Sequence, residues 1–171
     1  MRYVTKFAFC LVALLMQDCE DDDTLPSPTS EGRDKFGCYV DGRLWLPDGR
    51  NHQVGTWIVM DHRPDTTVLT IYAENVKGDE NFSISVHDVP NLVVGKRYDY
   101  SQHNYYVQFT KNTGPVGCFL DVPISGYVQF TSIDFENRVI SGTFEFELTG
   151  TECAEEVIVT EGRFDIGEIM G

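Results

Sequence analysis

Apolar and polar residues alternate along most of the chain after residue 35, which is the pattern of strands with one buried face. In residues 139–149, Ile140, Phe144, Phe146 and Leu148 alternate with hydroxyl and carboxylate side chains. A period of two sends neighbouring side chains to opposite faces of a sheet, so the segment is predicted to be a strand with an aromatic inner face. Further strands are predicted in residues 53–60, 67–73, 82–87, 105–110, 125–135 and 157–166.

Turn signals separate these segments and indicate an antiparallel arrangement. Asp41 and Gly42 stand between two short apolar segments, which is a strong local signal for a hairpin. After residue 35, no segment has apolar residues at helical spacing over three turns. We therefore predict an all-β domain of about eight to ten strands, either an antiparallel β-sandwich or a partly closed β-barrel.

The N-terminus has the composition of a secretory signal. Arg2 and Lys6 precede an unbroken apolar run over residues 7–16, which is too short to span a bilayer but fits the centre of a signal peptide. Cys19 follows directly, where a bacterial lipoprotein is cleaved and acylated. We predict a signal peptide over residues 1–18 and a lipid on Cys19. The residues just before Cys19 are not the usual small ones, so the alternative is an uncleaved start with an ordinary thiol.

The composition changes again after Cys19. Four acidic residues are followed by a stretch rich in proline, serine and threonine. Such a segment has few apolar side chains to bury, so residues 19–35 are predicted to be a flexible, disordered acidic stalk. The remaining residues, 36–171, are enough for one domain with a single core and too few for two.

The charge of the chain limits its partners. Asp and Glu number 27 against 13 Lys and Arg, a net charge of −14. This charge repels phosphate backbones and anionic lipid head groups, so we expect no nucleic-acid partner and a membrane attachment through the N-terminal lipid alone.

Three cysteines remain after Cys19, in a compartment where a disulfide would be stable. If one disulfide forms, we expect it to join Cys118 and Cys153. Cys153 lies in a loop between two predicted strands, and Cys118 follows a turn. Cys38 lies at the start of a predicted strand, and we expect it to be a small core residue. The alternative is that all three are reduced and buried.

No catalytic, metal or cofactor motif is found. Cysteine pairs at zinc or redox spacing are absent, the four histidines are scattered, and no serine has the context of a nucleophile. We therefore expect no enzyme activity, no bound metal and no cofactor.

One aromatic cluster indicates a binding surface. Tyr98, Tyr100, Tyr105 and Tyr106 lie within nine residues, among Asp, Gln and Asn. Flat rings with polar edges suit a sugar or a protein partner, although tyrosine is also a common, half-buried strand residue. Adjacent Tyr105 and Tyr106 must point to opposite faces of a strand, so at most three of the four can line one surface.

Three short strings resemble a known family. VDGRLW at residues 40–45, VISGTFEF at 139–146 and TEGRFD at 160–165 are similar to strings in uncharacterised all-β lipoproteins of Bacteroides-type bacteria. The resemblance implies a Gram-negative envelope and a lipid anchor in the outer membrane. Acidic residues after the cysteine resemble the signal for display on the cell surface, with a periplasm-facing position as the alternative. The family implies no catalytic residue.

These observations together favour a cell-envelope lipoprotein that acts as a non-enzymatic surface binding module for a glycan or an envelope protein. The alternative is a structural or accessory envelope component without a ligand of its own.

Overall fold

The computed structural model describes residues 24–48, 55–87, 89–100, 105–112, 117–151, 153–167 and 169–170. The signal peptide predicted over residues 1–18 and the acylation site predicted at Cys19 lie outside the described residues. The described part contains eleven strands and one 3₁₀ turn, Val89–Asn91. The strands are β1 (Lys35–Val40), β2 (Arg43–Trp45), β3 (Thr56–His62), β4 (Thr67–Asn75), β5 (Glu80–Val86), β6 (Arg97–Asp99), β7 (Tyr105–Lys111), β8 (Cys118–Asp134), β9 (Val139–Gly150), β10 (Glu156–Ile166) and β11 (Ile169–Met170).

All the strands belong to one sheet, in the order β11-β3-β4-β5-β7-β8-β9-β10-β1-β2, with β6 pairing separately with β8. Every pairing is antiparallel except that of β11 with β3. The sheet curls into an open half-barrel. The curl brings β2, at one end of the sheet, back to β5, where Arg43 on β2 forms an ion pair of 2.9 Å with Glu80. The all-β prediction is confirmed, with a curled sheet as the architecture.

The concave side of the sheet holds the core. Phe36, Trp45, Phe82, Phe109 and Phe144 are almost completely buried there, and their rings contact one another at centroid distances of 4.5–6.4 Å. They come from five different strands, so a single aromatic cluster holds the curl together. Burying large aromatic side chains is the main favourable contribution to such a fold.

The first hairpin forms at the predicted Asp41-Gly42 turn. Both residues have positive φ angles, 52° and 76°, as a two-residue type I′ turn requires. The Asp41 carboxylate also accepts a hydrogen bond of 2.9 Å from the amide of Ile158, which ties the turn to β10.

Strand β8 is longer than predicted, since it starts at Cys118 and not at residue 125. Register shifts interrupt its pairing with β9 between Leu120 and Val122 and between Pro123 and Ser125. Each bulge inserts an extra residue and reverses the alternation of inner and outer side chains. The first part of the strand therefore shows no regular alternation of apolar and polar residues in the sequence. Strands β6 and β11, with three and two residues, are too short to produce a pattern at all.

The second half of the predicted stalk lies against the domain. We name residues 24–34 the N-terminal strap. Leu25 and Pro26 lie over Gly37 of β1, where a side chain would collide with both. The Pro26 carbonyl accepts a hydrogen bond of 3.0 Å from Arg163 of β10. The stalk predicted over residues 19–35 therefore contacts the domain from residue 25 onward. Residues 19–23 lie outside the described residues.

A single buried carboxylate holds the strap in place. Asp165 of β10, 3% exposed, accepts hydrogen bonds from the Gly32 and Glu31 amides at 2.8 and 3.1 Å and from the Thr29 hydroxyl. Ser141 of β9 donates a further hydrogen bond of 2.7 Å. The amino-acid composition of the strap did not reveal this contact. Asp165 binds mainly backbone amides, which every residue except proline has, and the contact needs no apolar side chain.

Candidate recognition surface

The convex face of β3, β4, β5 and β7 carries an ordered array of polar and aromatic side chains. Cross-strand pairing places Trp57, Tyr72, Ser83 and Gln108 in one row, each directly opposite the next. Directly opposed residues point to the same side of an antiparallel sheet, so the row forms one continuous strip. We use the name outer face for this row together with the neighbouring rows on the same convex side of the sheet.

The second row runs from Glu74 through Asn81 to Thr110. The two rows line a groove of about 310 Å³, at the small end of the usual range for ligand pockets. All of the side chains named in the two rows are partly exposed, in contrast to the buried residues that alternate with them.

Trp57 and Tyr72 form the aromatic part of the groove. Their ring centroids are 5.3 Å apart and their planes differ by 15°, so the rings are stacked. Each is partly exposed. Stacked rings fix each other's orientation, and their apolar faces and polar edges suit a ligand with both kinds of surface.

Glu74 supplies an acceptor that the described residues leave unsatisfied. Its backbone N–H donates a hydrogen bond of 2.7 Å to the Gly55 carbonyl, and its carbonyl accepts one of 2.9 Å from the Asp48 amide, so the backbone position of Glu74 is fixed. Carboxylate oxygen Oε2 is buried and has no hydrogen-bond partner among the described residues. The carboxylate therefore has unused capacity to accept a hydrogen bond at the edge of the groove.

The four tyrosines predicted to form a binding surface lie on two sides of the sheet. Tyr98 packs inward against Phe130, and its hydroxyl accepts a hydrogen bond of 2.7 Å from the Val93 amide. Tyr105 also packs inward, against Phe146, and Tyr100 contacts the Tyr105 ring at a centroid distance of 6.5 Å. Burial raises the pKa of Tyr105, whose hydroxyl has no hydrogen-bond partner in the described part of the chain.

Tyr106 is the member of the group that lies on the outer face. It is 41% exposed and pairs with Ser85 in the row next to Trp57 and Tyr72. Its hydroxyl donates a hydrogen bond of 3.3 Å to Asp121 of β8. Partial burial, with the nearby Asp121 charge, raises the pKa of the Tyr106 hydroxyl. As strand alternation requires, the ring of its neighbour Tyr105 points to the other side.

Sequence reasoning did not single out the groove residues. The signal that identifies them is an aromatic residue out of phase with the buried positions of its strand: Trp57 is followed by buried Ile58, and Tyr72 stands between buried Ile71 and Ala73. Such an aromatic residue must lie on the solvent side. That two of them lie side by side follows only from the cross-strand register, which alternation does not determine.

Cys38, Cys118 and Cys153 do not line the groove. Cys118 and Cys153 form a disulfide, across a sequence separation of 35. Cys38 is a free, fully buried thiol, and burial raises its pKa strongly. These are the pair and the core residue expected from the sequence.

Among the described residues, no group of three or more His, Cys, Asp and Glu side chains could hold a metal ion. The part of the chain that the structure describes contains no helix long and apolar enough to span a membrane. Comparisons with protein-family models, curated proteins and solved structures found no match to this chain. The resemblance to Bacteroides-type lipoproteins therefore stays a prediction.

Proposed function

We propose that this protein is a lipid-anchored binding module of the outer membrane that recognises a glycan through its outer face. The observation that carries the proposal is the groove in which the stacked rings of Trp57 and Tyr72 lie beside the unpaired Glu74 oxygen. A sugar presents apolar ring faces together with hydroxyl donors, and this groove offers a complement to both.

The short tether supports a role at the membrane surface. Only residues 20–23 separate Cys19 and its proposed lipid from the N-terminal strap, and the five steps from residue 19 to residue 24 span at most about 18 Å. A lipid on Cys19 would therefore keep the strap, and the domain it packs against, close to the bilayer. Display on the cell surface, with the periplasmic side as the alternative, is part of the proposal.

The glycan part is tested by a glycan-array screen of the full-length protein in detergent micelles. We expect binding that Trp57→Ala reduces at least tenfold. Phe135→Ala is the matched control, because Phe135 is 44% exposed and does not line the groove. Binding that is lost equally in both variants, or no binding to any glycan, would contradict the proposal and favour an accessory component without a ligand.

The anchor is tested separately, by expressing the full chain in a Gram-negative host with a labelled fatty acid. The label should appear on the wild-type protein and disappear in Cys19→Ala. Label on the variant would show that Cys19 is not the acceptor, whatever the outcome of the glycan screen.

A further inference from the structure

We propose that the outer face binds a neutral, linear oligosaccharide that lies across the strands from β3 to β8. This inference rests on the proposed function and deepens it, because it states the length and the charge class of the ligand.

The second row of the outer face continues beyond the groove onto β8. Thr110 of β7 pairs directly with Phe119, so Glu74, Asn81, Thr110 and Phe119 form one unbroken cross-strand row. Phe119 points outward, since its neighbours Cys118 and Leu120 are both buried, and it is 41% exposed. A large apolar ring is thus displayed at the β8 end of an otherwise polar row.

Tyr106 adds a second exposed ring near this end. It lies on β7, and its hydroxyl reaches Asp121, which follows Phe119 by two positions on β8. The outer face therefore has aromatic rings at both ends: Trp57 and Tyr72 on β3 and β4, and Tyr106 and Phe119 on β7 and β8. Between the two pairs, β5 contributes only the polar side chains Ser83, Ser85 and Asn81.

The separation of the aromatic ends sets the length of the ligand. Strands β3, β4, β5, β7 and β8 are consecutive neighbours in the sheet. Four interstrand steps of about 4.8 Å give a span of about 19 Å. A single sugar ring is much shorter than this, so only a chain of several units can contact both ends.

The polar groups define the chemical class of the ligand. Glu74 near one end and Asp121 near the other are carboxylates, and one oxygen of each has no hydrogen-bond partner among the described residues. Both of these oxygens are buried, so direct contacts with sugar hydroxyl groups fall to the partly exposed Asn81, Ser83 and Gln108 between the two ends. Two carboxylates on a protein with a net charge of −14 repel acidic polymers, so uronate and sulfated chains are excluded.

A peptide fits this face less well than a glycan. Extended peptides add to sheets through an unpaired strand edge, where backbone groups are available. Strands β4 and β5, which cross the middle of the outer face, are paired on both sides along the rows. Recognition here must use side chains alone, and the outer face offers rings and short polar groups.

The test uses full-length protein in detergent and calorimetric titration with linear oligosaccharides of one to six units. The probes are β-1,4-linked glucose, mannose and xylose and α-1,4-linked glucose, with oligogalacturonate as the acidic comparison. For at least one neutral series we expect the affinity to rise with length and then level off once both aromatic ends are covered. Oligogalacturonate of the same length should bind more weakly.

Two variants separate this inference from the proposed function. Phe119→Ala should weaken the longest neutral ligand about fivefold to tenfold and leave the disaccharide unchanged, because only the long chain reaches β8. Trp57→Ala should weaken both. The inference would be overturned if the affinity did not depend on ligand length, or if Phe119→Ala left the affinity for every ligand unchanged. Tighter binding of oligogalacturonate than of the neutral series would also overturn it. Binding to none of the series would overturn the proposed function as well.

Discussion

The chain contains two tryptophans, and they lie on opposite sides of the sheet. Trp45 is fully buried at the centre of the aromatic core, and its indole N–H donates a hydrogen bond of 2.8 Å to Glu80. Trp57 is partly exposed on the outer face, stacked on Tyr72 and close to an unpaired acceptor. The fully enclosed side chain contributes to stability alone, whereas the partly exposed one also presents part of its ring to the solvent.

The largest expected effect comes from removing the inner tryptophan. Trp45→Ala should lower the free energy of unfolding by about 3–5 kcal/mol, because it leaves a cavity beside the rings of Phe36, Phe82 and Phe109. The Glu80 carboxylate also loses a donor. Urea denaturation measures the change. A loss no larger than that of Trp57→Ala would contradict the division between the two faces.

The disulfide should have the next largest effect, because it constrains the strand that carries both Leu120 in the core and Phe119 on the outer face. Reducing Cys118–Cys153 opens a loop of about 35 residues in the unfolded chain and should cost about 3–4 kcal/mol. The measurement is denaturation with and without reductant. The double variant Cys118→Ala/Cys153→Ala is the control and should be insensitive to reductant.

Asp165 gives a smaller effect with a characteristic pH dependence. Burial alone would raise the Asp165 pKa, but hydrogen bonds from the Thr29 and Ser141 hydroxyls and from the strap amides outweigh it, so the pKa is lowered. Asp165→Asn should cost about 2 kcal/mol at pH 7.

The sign of the pH effect follows from the lowered pKa. The contribution of the ionised Asp165 is complete above the unfolded value of about 3.9 and is lost as the pH falls through the folded value. The difference in stability between wild type and Asp165→Asn should therefore close on acidification. Glu156→Gln removes the same charge from an exposed position. If it behaves like Asp165→Asn, net charge and not the strap explains the effect.

The smallest effect on stability is expected for the outer tryptophan. Trp57→Ala should cost about 1.5 kcal/mol, since the stacked pair with Tyr72 is lost but the side chain is only partly buried. It should nevertheless abolish most glycan binding. A stability loss comparable to that of Trp45→Ala, seen in the same urea titration, would make Trp57 a structural residue and weaken the case for the groove.

The comparison also explains how much of the molecule could be predicted from sequence. Alternation predicted the core strands, because Phe144 and Phe146 of β9 could only be buried on one face. It failed at the start of β8, where the bulges around Pro123 shift the period. It could not locate the groove, because the contact between Trp57 and Tyr72 is a property of register between two strands and not of either strand alone. The strap was missed for a different reason, since Asp165 binds backbone amides.

The pairing of β1 with β10 imposes an order in time on the folding of this chain. Thr29 in the strap and its partner Asp165 are 136 residues apart. One edge of β1 pairs with β2 in a local hairpin, and the other edge finds its partner only in β10, the last long strand. Contacts between such distant residues form slowly, because a long loop must close before they are made. A chain that emerges N-terminus first from a narrow channel can form the first hairpin early, but it must leave the other edge of β1 open until nearly all the rest has followed.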